Sequence, residues 1–206
     1  MIDGSGTVVD EMPQYSARQL TLGVSGSVNA ALVPHWLLWM RHLYPHVRTD
    51  VVVTKSAERF VTVEALRLIA TGSVWRDSWD EAFPDGSWTG IEASSTAYAV
   101  FPATLDLSMR LANGSTNTPL LMALQCTSKP IVLAPAFPGS NEIVEARLED
   151  LERRANVALV DHMPAYSLGS KSWSGRTGFL LPAVLQLLDS MIEASRTVPA
   201  PDDVQT

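Results

Sequence analysis

The chain has 206 residues, of which 46% are hydrophobic and 18% are charged, and its formal net charge is −7. This length and composition indicate one globular domain, and the scattered basic residues exclude the clustered positive patch of a nucleic-acid-binding protein. One cysteine, no zinc-like Cys/His spacing, a polar N-terminal segment and no apolar run of membrane-spanning length predict a cytoplasmic protein without metal or membrane contact.

Short apolar segments alternate with helical patterns along the chain. The predicted strands, in chain order, are QLTLGV (19–24), DVVVT (50–54), AYAVF (97–101), PIVLAP (130–135) and VALVD (157–161). The helices predicted between and after them cover 25–44, 55–70, 104–114, 118–128, 139–155 and 179–195. This alternation predicts an α/β domain at 18–195 with a doubly wound parallel sheet. Segment 71–92 is predicted to be irregular, and 1–17 and 196–206 are predicted to be flexible tails.

The loops that follow the first three strands carry small and hydroxyl-bearing residues: Gly23, Ser25, Gly26, Ser27, Thr54, Ser56 and Thr104. Sheets of this kind bind ligands at the carboxyl ends of their strands, so we expect the three loops to meet there. Glycines and backbone N–H groups in the first loop suit a phosphate, although small residues also serve helix–strand packing. Ser56 and Thr104 could bind a ligand, cap the helices that follow them, or do both.

Five stretches between about residues 19 and 180 carry a family resemblance: LTLGVSGSVNAALVPHWLLWM, VVVTKSAERFVTVEALRLI, FPATLDLSMRLANGSTNTPLLMAL, PIVLAPAF and SWSGR. The most specific element is PAT followed by ANG at this spacing. On these motifs the chain resembles the homo-oligomeric flavin-containing cysteine decarboxylases. Within that family it most resembles the enzymes that act on peptides in lantibiotic and linaridin maturation. The resemblance implies a flavodoxin-like fold, a bound FMN or FAD, and a trimer or dodecamer of identical chains.

The resemblance also implies roles for individual residues. The expected cofactor-binding residues are Gly23, Ser25, Gly26, Ser27, Thr54, Ser56, Phe60, Pro102, Ala103, Thr104, Ser108 and Met122. A flap at about 162–178 would cover the substrate, and the expected substrate-binding residues are Asn113, Phe137, Trp173, Ser174, Gly175 and Arg176.

The reaction implied by the resemblance is an oxidative decarboxylation of the C-terminal cysteine of a ribosomally made precursor peptide. The cysteine thiolate would give two electrons to the flavin, and the resulting thioaldehyde would lose CO₂. The product would be an enethiol, which supplies an aminovinyl-cysteine ring.

Two of the positions expected to be catalytic depart from the family pattern. Trp88 stands where relatives usually carry a histidine base, and among its neighbours only Glu92 could act as a base. His35 and His162 are the other candidates for a chemical role. Asp106 stands where relatives carry an asparagine: ionised, it would repel a peptide carboxylate, and protonated by burial, it could donate a hydrogen bond. A third interpretation is that Asp106 only complements the helix dipole.

A third departure lies after the fourth predicted strand. Phe137 and Pro138 replace the Met and Asn of the family's substrate clamp, which argues against phosphopantothenoylcysteine as the substrate. Two function classes follow: a peptidyl-cysteine decarboxylase, or a flavin-binding member without decarboxylase activity that acts as a scaffold or partner subunit. A transferase on the same fold is a more distant alternative.

Overall fold

A computed structural model describes residues 12–80, 92 and 94–197. The strands are β1 (Gln19–Val24), β2 (Arg48–Val53), β3 (Val74–Arg76), β4 (Ala97–Thr104), β5 (Ile131–Phe137), β6 (Val157–Leu159), β7 (Met163–Ser167) and β8 (Ser172–Thr177). The α-helices are α1 (Val33–Leu43), α2 (Val63–Ile69), α3 (Leu105–Ala112), α4 (Pro119–Cys126), α5 (Glu142–Glu152) and α6 (Leu181–Thr197). Short 3₁₀ turns, Val28–Leu32 and Ala57–Arg59, precede α1 and α2.

The strands form one sheet in the order β3-β2-β1-β4-β5, and β5 then has two neighbours on its outer side. Its amino half pairs in parallel with β6, and its carboxyl end pairs with β8 of the antiparallel β7–β8 hairpin. The strand order reverses between β1 and β4, which makes their carboxyl ends the topological switch point where such sheets bind ligands. The predicted doubly wound α/β sheet is therefore confirmed, with the hairpin as an antiparallel addition.

Successive residues of each central strand pack against helices on opposite faces of the sheet. Val51 and Val53 of β2 join a core with α1, α2 and α6, whereas Val52 joins a core with α3, α4 and part of α5. All the residues of β4 except Thr104 are buried. Burial on both faces explains why these strands are apolar runs rather than alternating patterns, because a parallel sheet covered by helices leaves no wet face.

Two helices predicted as continuous begin later than expected. The segment at 25–44 starts as a 3₁₀ turn and becomes α-helical only at Val33. The segment at 55–70 is interrupted, and α2 begins after Thr62, whose Oγ1 accepts a hydrogen bond from the Ala65 N–H at 3.2 Å. Ser56 and Thr104 occupy the N-cap positions of the Ala57–Arg59 turn and of α3, but neither side chain makes a capping hydrogen bond.

Residues 12–17, which the sequence assigns to a tail, lie against the domain. Tyr15 and Ala17 are buried, and the Tyr44 hydroxyl donates a hydrogen bond to the Pro13 carbonyl at 2.5 Å. Burial, followed by the nearby Asp189 charge, raises the pKa of Tyr15. At the other end α6 extends to Thr197, and the remaining tail residues lie outside the described part of the chain. Residues 12–17 thus pack with the domain, and its last helix continues to Thr197.

An aromatic cluster holds the carboxyl end of β4 in place. The rings of Phe101 and Phe179 stack with centroids 3.9 Å apart and planes 14° apart, and Trp36 of α1 meets both rings edge-on. Aromatic pairs of this kind contribute about 0.5–1.5 kcal/mol beyond their buried area. The cluster therefore fixes the strand end next to the switch point. Within the described residues, no helix combines the length and apolar character needed to cross a bilayer.

Candidate functional site

A cleft of about 710 Å³ opens at the carboxyl ends of β1, β4 and β5, beneath the β7–β8 hairpin. Its walls are formed by Gly26, Ser27, Val28, Asn29, Phe60, Thr104, Leu105, Asp106, Ala136, Phe137, Pro138, Ala165, Tyr166, Ser167, Leu168, Gly169, Gly175, Arg176 and Thr177. Residues after β1, β2 and β4 therefore meet as expected, and the hairpin adds a fourth wall. The volume falls within the range of small-molecule and cofactor sites.

Ser25 ties the end of β1 to the end of β4. Its buried hydroxyl donates to the Pro102 carbonyl at 2.6 Å and accepts from the Thr104 N–H at 2.9 Å. A serine hydroxyl has one proton to donate, so this proton is committed within the chain. The geometry makes Ser25 a residue that positions the Pro102–Thr104 segment, a role that the sequence did not suggest.

Gly26 allows the loops after β1 and β2 to touch. A Cβ at this position would lie 2.5 Å from the Ser56 Cβ and 2.8 Å from the Ser56 backbone carbon. The N–H groups of Gly26 and Val28 have no hydrogen-bond partner among the described residues. N–H groups two residues apart at a strand end, both without an internal partner among the described residues, form a suitable anion-binding surface.

Asp106 lies on the rim of the cleft, in the first turn of α3. Its side chain is 80% exposed, and the nearest cation is Arg110, whose Nη1 lies 3.7 Å from Oδ2. The burial on which the interpretation of Asp106 as a hydrogen-bond donor depends is absent from the single chain. The position at the helix N-terminus agrees with the dipole interpretation, and the same carboxylate also faces any ligand in the cleft.

The β7–β8 hairpin is attached to the sheet by β8. Phe137 pairs with Arg176, and the Ser174 hydroxyl donates to the Pro138 carbonyl at 3.0 Å. Gly175 fits here because a Cβ would lie 3.0 Å from the Ala165 carbonyl oxygen on the next strand, a tight contact. The flap predicted at 162–178 is thus an ordered hairpin that covers one side of the cleft.

The residues considered as catalytic bases lie in different parts of the structure. His35 is exposed on α1 and does not line the cleft, and Trp88 lies outside the described residues. His162 is exposed at the base of the hairpin, where its Nε2 accepts a hydrogen bond from Arg176 Nη1 at 2.8 Å.

Glu92 lies at the opposite edge of the sheet. Its carboxylate accepts hydrogen bonds from the Tyr98 hydroxyl at 2.5 Å and from Thr127 Oγ1 at 3.2 Å, and it pairs with Lys129 at 3.2 Å. Burial and the bond to Glu92 raise the pKa of Tyr98. These partners belong to the amino ends of β4 and β5, so within one chain Glu92 is not a base for the cleft.

Several expected site residues lie behind or beside the cleft rather than in its walls. In the cofactor set these are Gly23, Ser25, Thr54, Ser56, Pro102, Ala103, Ser108 and Met122, and in the substrate set Asn113, Trp173 and Ser174. Gly23 packs against Leu120, where a Cβ would come within 2.9 Å of a leucine methyl group. Ser108 is fully buried on α3, and its hydroxyl has no partner among the described residues.

Tyr166 is the main wall residue that the sequence did not single out. It is 49% exposed, and its ring meets Trp173 edge-on with centroids 5.9 Å apart. The available signal was the strand pattern of the segment around it, because Tyr166 and Trp173 stand on two short strands separated by a Gly/Ser turn. Such a hairpin signal is weak without a matching apolar face.

Known proteins match this chain over most of its length. A cypemycin cysteine dehydrogenase (decarboxylating) from a Streptomyces species is 40% identical over 185 residues, which is 89% of this chain and 97% of the relative. The crystal structure of the cypemycin decarboxylase CypD is 40% identical, with a TM-score of 0.79 over 91% of this chain and 100% of that chain.

A further solved structure, the FMN-dependent cysteine decarboxylase TvaF from thioviridamide biosynthesis, is 30% identical. Its TM-score is 0.56, and the match covers 69% of this chain and 90% of that chain. The Flavoprotein family model matches residues 10–172, a range that includes the strand ends at the switch point and most of the hairpin. The chain therefore belongs to the Flavoprotein family.

Proposed function

We propose that this chain is a flavin-dependent enzyme that oxidatively decarboxylates the C-terminal cysteine of a ribosomally made peptide. The observation that carries the proposal is the match to a decarboxylating cysteine dehydrogenase over 97% of that protein's length. The product would be an enethiol for an aminovinyl-cysteine ring. We further propose a cytoplasmic homo-oligomer, and FMN rather than FAD, as in the name of TvaF.

The residues at the switch point fit a flavin. The unpartnered N–H groups of Gly26 and Val28 can receive its phosphate, and Ser27 stands between them. Phe60 and Phe137 supply apolar wall, and Thr104 supplies a hydroxyl group at the end of β4. When bound, the flavin supplies a two-electron acceptor for a thiolate.

The hairpin and β5 supply the surface on which a peptide can lie. Tyr166 and Leu168 line the cleft and are 49% and 66% exposed, so they present apolar area at its mouth. A peptide seated there would displace water from the cleft, which strengthens the polar interactions within it. The chain thus binds the peptide end and orients it.

The direct test combines the visible spectrum of the purified protein with mass spectrometry. We expect a yellow protein that converts a cysteine-terminated peptide to a product lighter by CO₂ and two hydrogens. A yellow protein that leaves all such peptides unchanged, including a precursor from its own gene cluster, would support the scaffold alternative. A colourless protein without flavin in denatured extracts would contradict both.

Asp106→Asn is expected to keep the flavin and to lower KM for a cysteine-terminated peptide by about 2- to 5-fold, because a charge that repels the substrate carboxylate is removed. The effect should shrink at high salt, since the rim is exposed and screened. The measurement is steady-state kinetics at two salt concentrations. Glu64→Gln, a change of the same charge on α2, is the matched control. Unchanged kinetics would mean that Asp106 only complements the helix dipole.

A further inference from the structure

Arg176 is the only cationic side chain among the described residues that line the cleft. It stands in β8, opposite Phe137 in the sheet, and its side chain is 36% exposed. Asp106 on the opposing rim is the only carboxylate in that same set. A negatively charged ligand in the cleft therefore meets one charge of each sign, and only Arg176 attracts it.

One end of the Arg176 guanidinium is held by the protein and the other end is open. Nη1 forms an ion pair with Glu145 Oε1 at 2.6 Å and donates a hydrogen bond to His162 Nε2 at 2.8 Å. Nε and Nη2 have no partner among the described residues. The N–H groups on these two atoms point in parallel and match the two oxygens of a carboxylate.

We propose that the Nε/Nη2 edge of Arg176 receives the α-carboxylate of the peptide's C-terminal residue. This inference rests on the proposed function, and it identifies the group that distinguishes a free C-terminus from an internal or amidated residue. Arg176 also offsets Asp106, whose exposed carboxylate on the rim of the cleft repels a ligand carboxylate. Arg176 provides two donors from the other side of the cleft.

Glu145 reduces the net positive charge that a bound carboxylate meets at Arg176. A carboxylate that must leave as CO₂ loses its charge, so a strong, uncompensated cation would stabilise the bound substrate against the reaction. Glu145 already compensates much of the Arg176 charge. The open edge can therefore recognise a carboxylate by directed hydrogen bonds while adding little net charge.

The test measures binding and does not depend on turnover. Two pools of pentapeptides with randomised sequence are prepared, one as free acids and one as carboxamides. Both pools end in serine, which has no thiol for the flavin to oxidise. Their retention on the immobilised holoprotein is compared by mass spectrometry. We expect the unaltered protein to prefer the acid pool by roughly 10- to 100-fold, the range of a charge-assisted pair. Arg176→Gln should abolish this preference, and Arg176→Lys should restore only part of it.

Two further variants separate recognition from folding of the hairpin. Lys171→Gln removes a cation from the exposed hairpin turn and should leave the preference unchanged. Glu145→Gln leaves Arg176 in place without its compensating charge and should increase the preference for acids. Equal retention, or no retention, of the two pools by the unaltered protein would overturn the inference, as would an Arg176→Gln protein that still prefers acids. Absence of CO₂ loss with cysteine peptides would instead count against the proposed function alone.

Discussion

Ser25→Ala is expected to lower the free energy of unfolding by about 1–3 kcal/mol, because the part-buried Thr104 N–H loses its partner and the Pro102 carbonyl keeps only one of its two bonds from Ser25. The lost bonds are those to the Pro102 carbonyl and from the Thr104 N–H. The Ser25 N–H lies 3.3 Å from the same carbonyl, so part of the link between β1 and β4 persists. For a chain of this size the change corresponds to a fall of roughly 2–12 °C in Tm.

Urea unfolding followed by circular dichroism measures this difference. Ser190→Ala is the matched control, since its hydroxyl bonds only to the Gln186 carbonyl on the exposed side of α6, and we expect its effect to stay within about 0.5 kcal/mol. If the two variants have the same free energy of unfolding, the Ser25 hydroxyl does not hold the strand ends together. A loss of flavin that follows the loss of stability would link the same bond to the cleft.

Gly26→Ala is expected to release the flavin and to destabilise the chain by about 1–3 kcal/mol, the cost of overpacking a filled site. The added methyl group would overlap Ser56, so the loops after β1 and β2 must separate. That movement also turns the free N–H groups of Gly26 and Val28 away from their present positions. The flavin-to-protein ratio after gel filtration, read from the absorbance spectrum, measures the loss directly.

Two variants give this prediction its controls. Gly139→Ala adds the same methyl group where the nearest atom, the Ser174 carbonyl oxygen, is 3.6 Å away, so flavin content should not change. The double variant Gly26→Ala with Ser56→Gly removes the overlapping Cβ and should regain part of the flavin. A fully loaded Gly26→Ala protein would show that the close contact of the two loops is not needed for the cofactor.

The alternation of strands and helices can be predicted from the sequence because it depends on local patterns. The β-branched run of β2 and the helix after Thr104 follow from short-range propensity and periodicity. The helix starts were less accurate. Ser56 is predicted to open the second helix, whereas α2 begins after Thr62, which caps it. Ser56 lies against Gly26 of the first loop, a tertiary contact that local patterns do not contain.

The candidate site was predictable as far as it depends on strand ends. Topology alone brings the loop at Gly26 next to the segment at Thr104, whatever their side chains do. The hairpin wall depends on the pairing of Phe137 with Arg176, residues that are far apart in sequence and joined by an antiparallel contact. The exposure of the Asp106 side chain also depends on tertiary packing, so the spacing of residues in the sequence does not predict it.

The shared edge of β5 has a consequence for how the cleft can open. β8 joins β5 through only two residue pairs, Ala136–Thr177 and Phe137–Arg176, whereas the parallel strands pair over longer ladders. Segments with few ladder bonds open at a small fraction of the global unfolding free energy. The wall of the cleft can therefore melt and re-form as its own cooperative unit while the parallel sheet stays intact. Exchange of a long peptide then needs no rearrangement of the strands that support the cofactor.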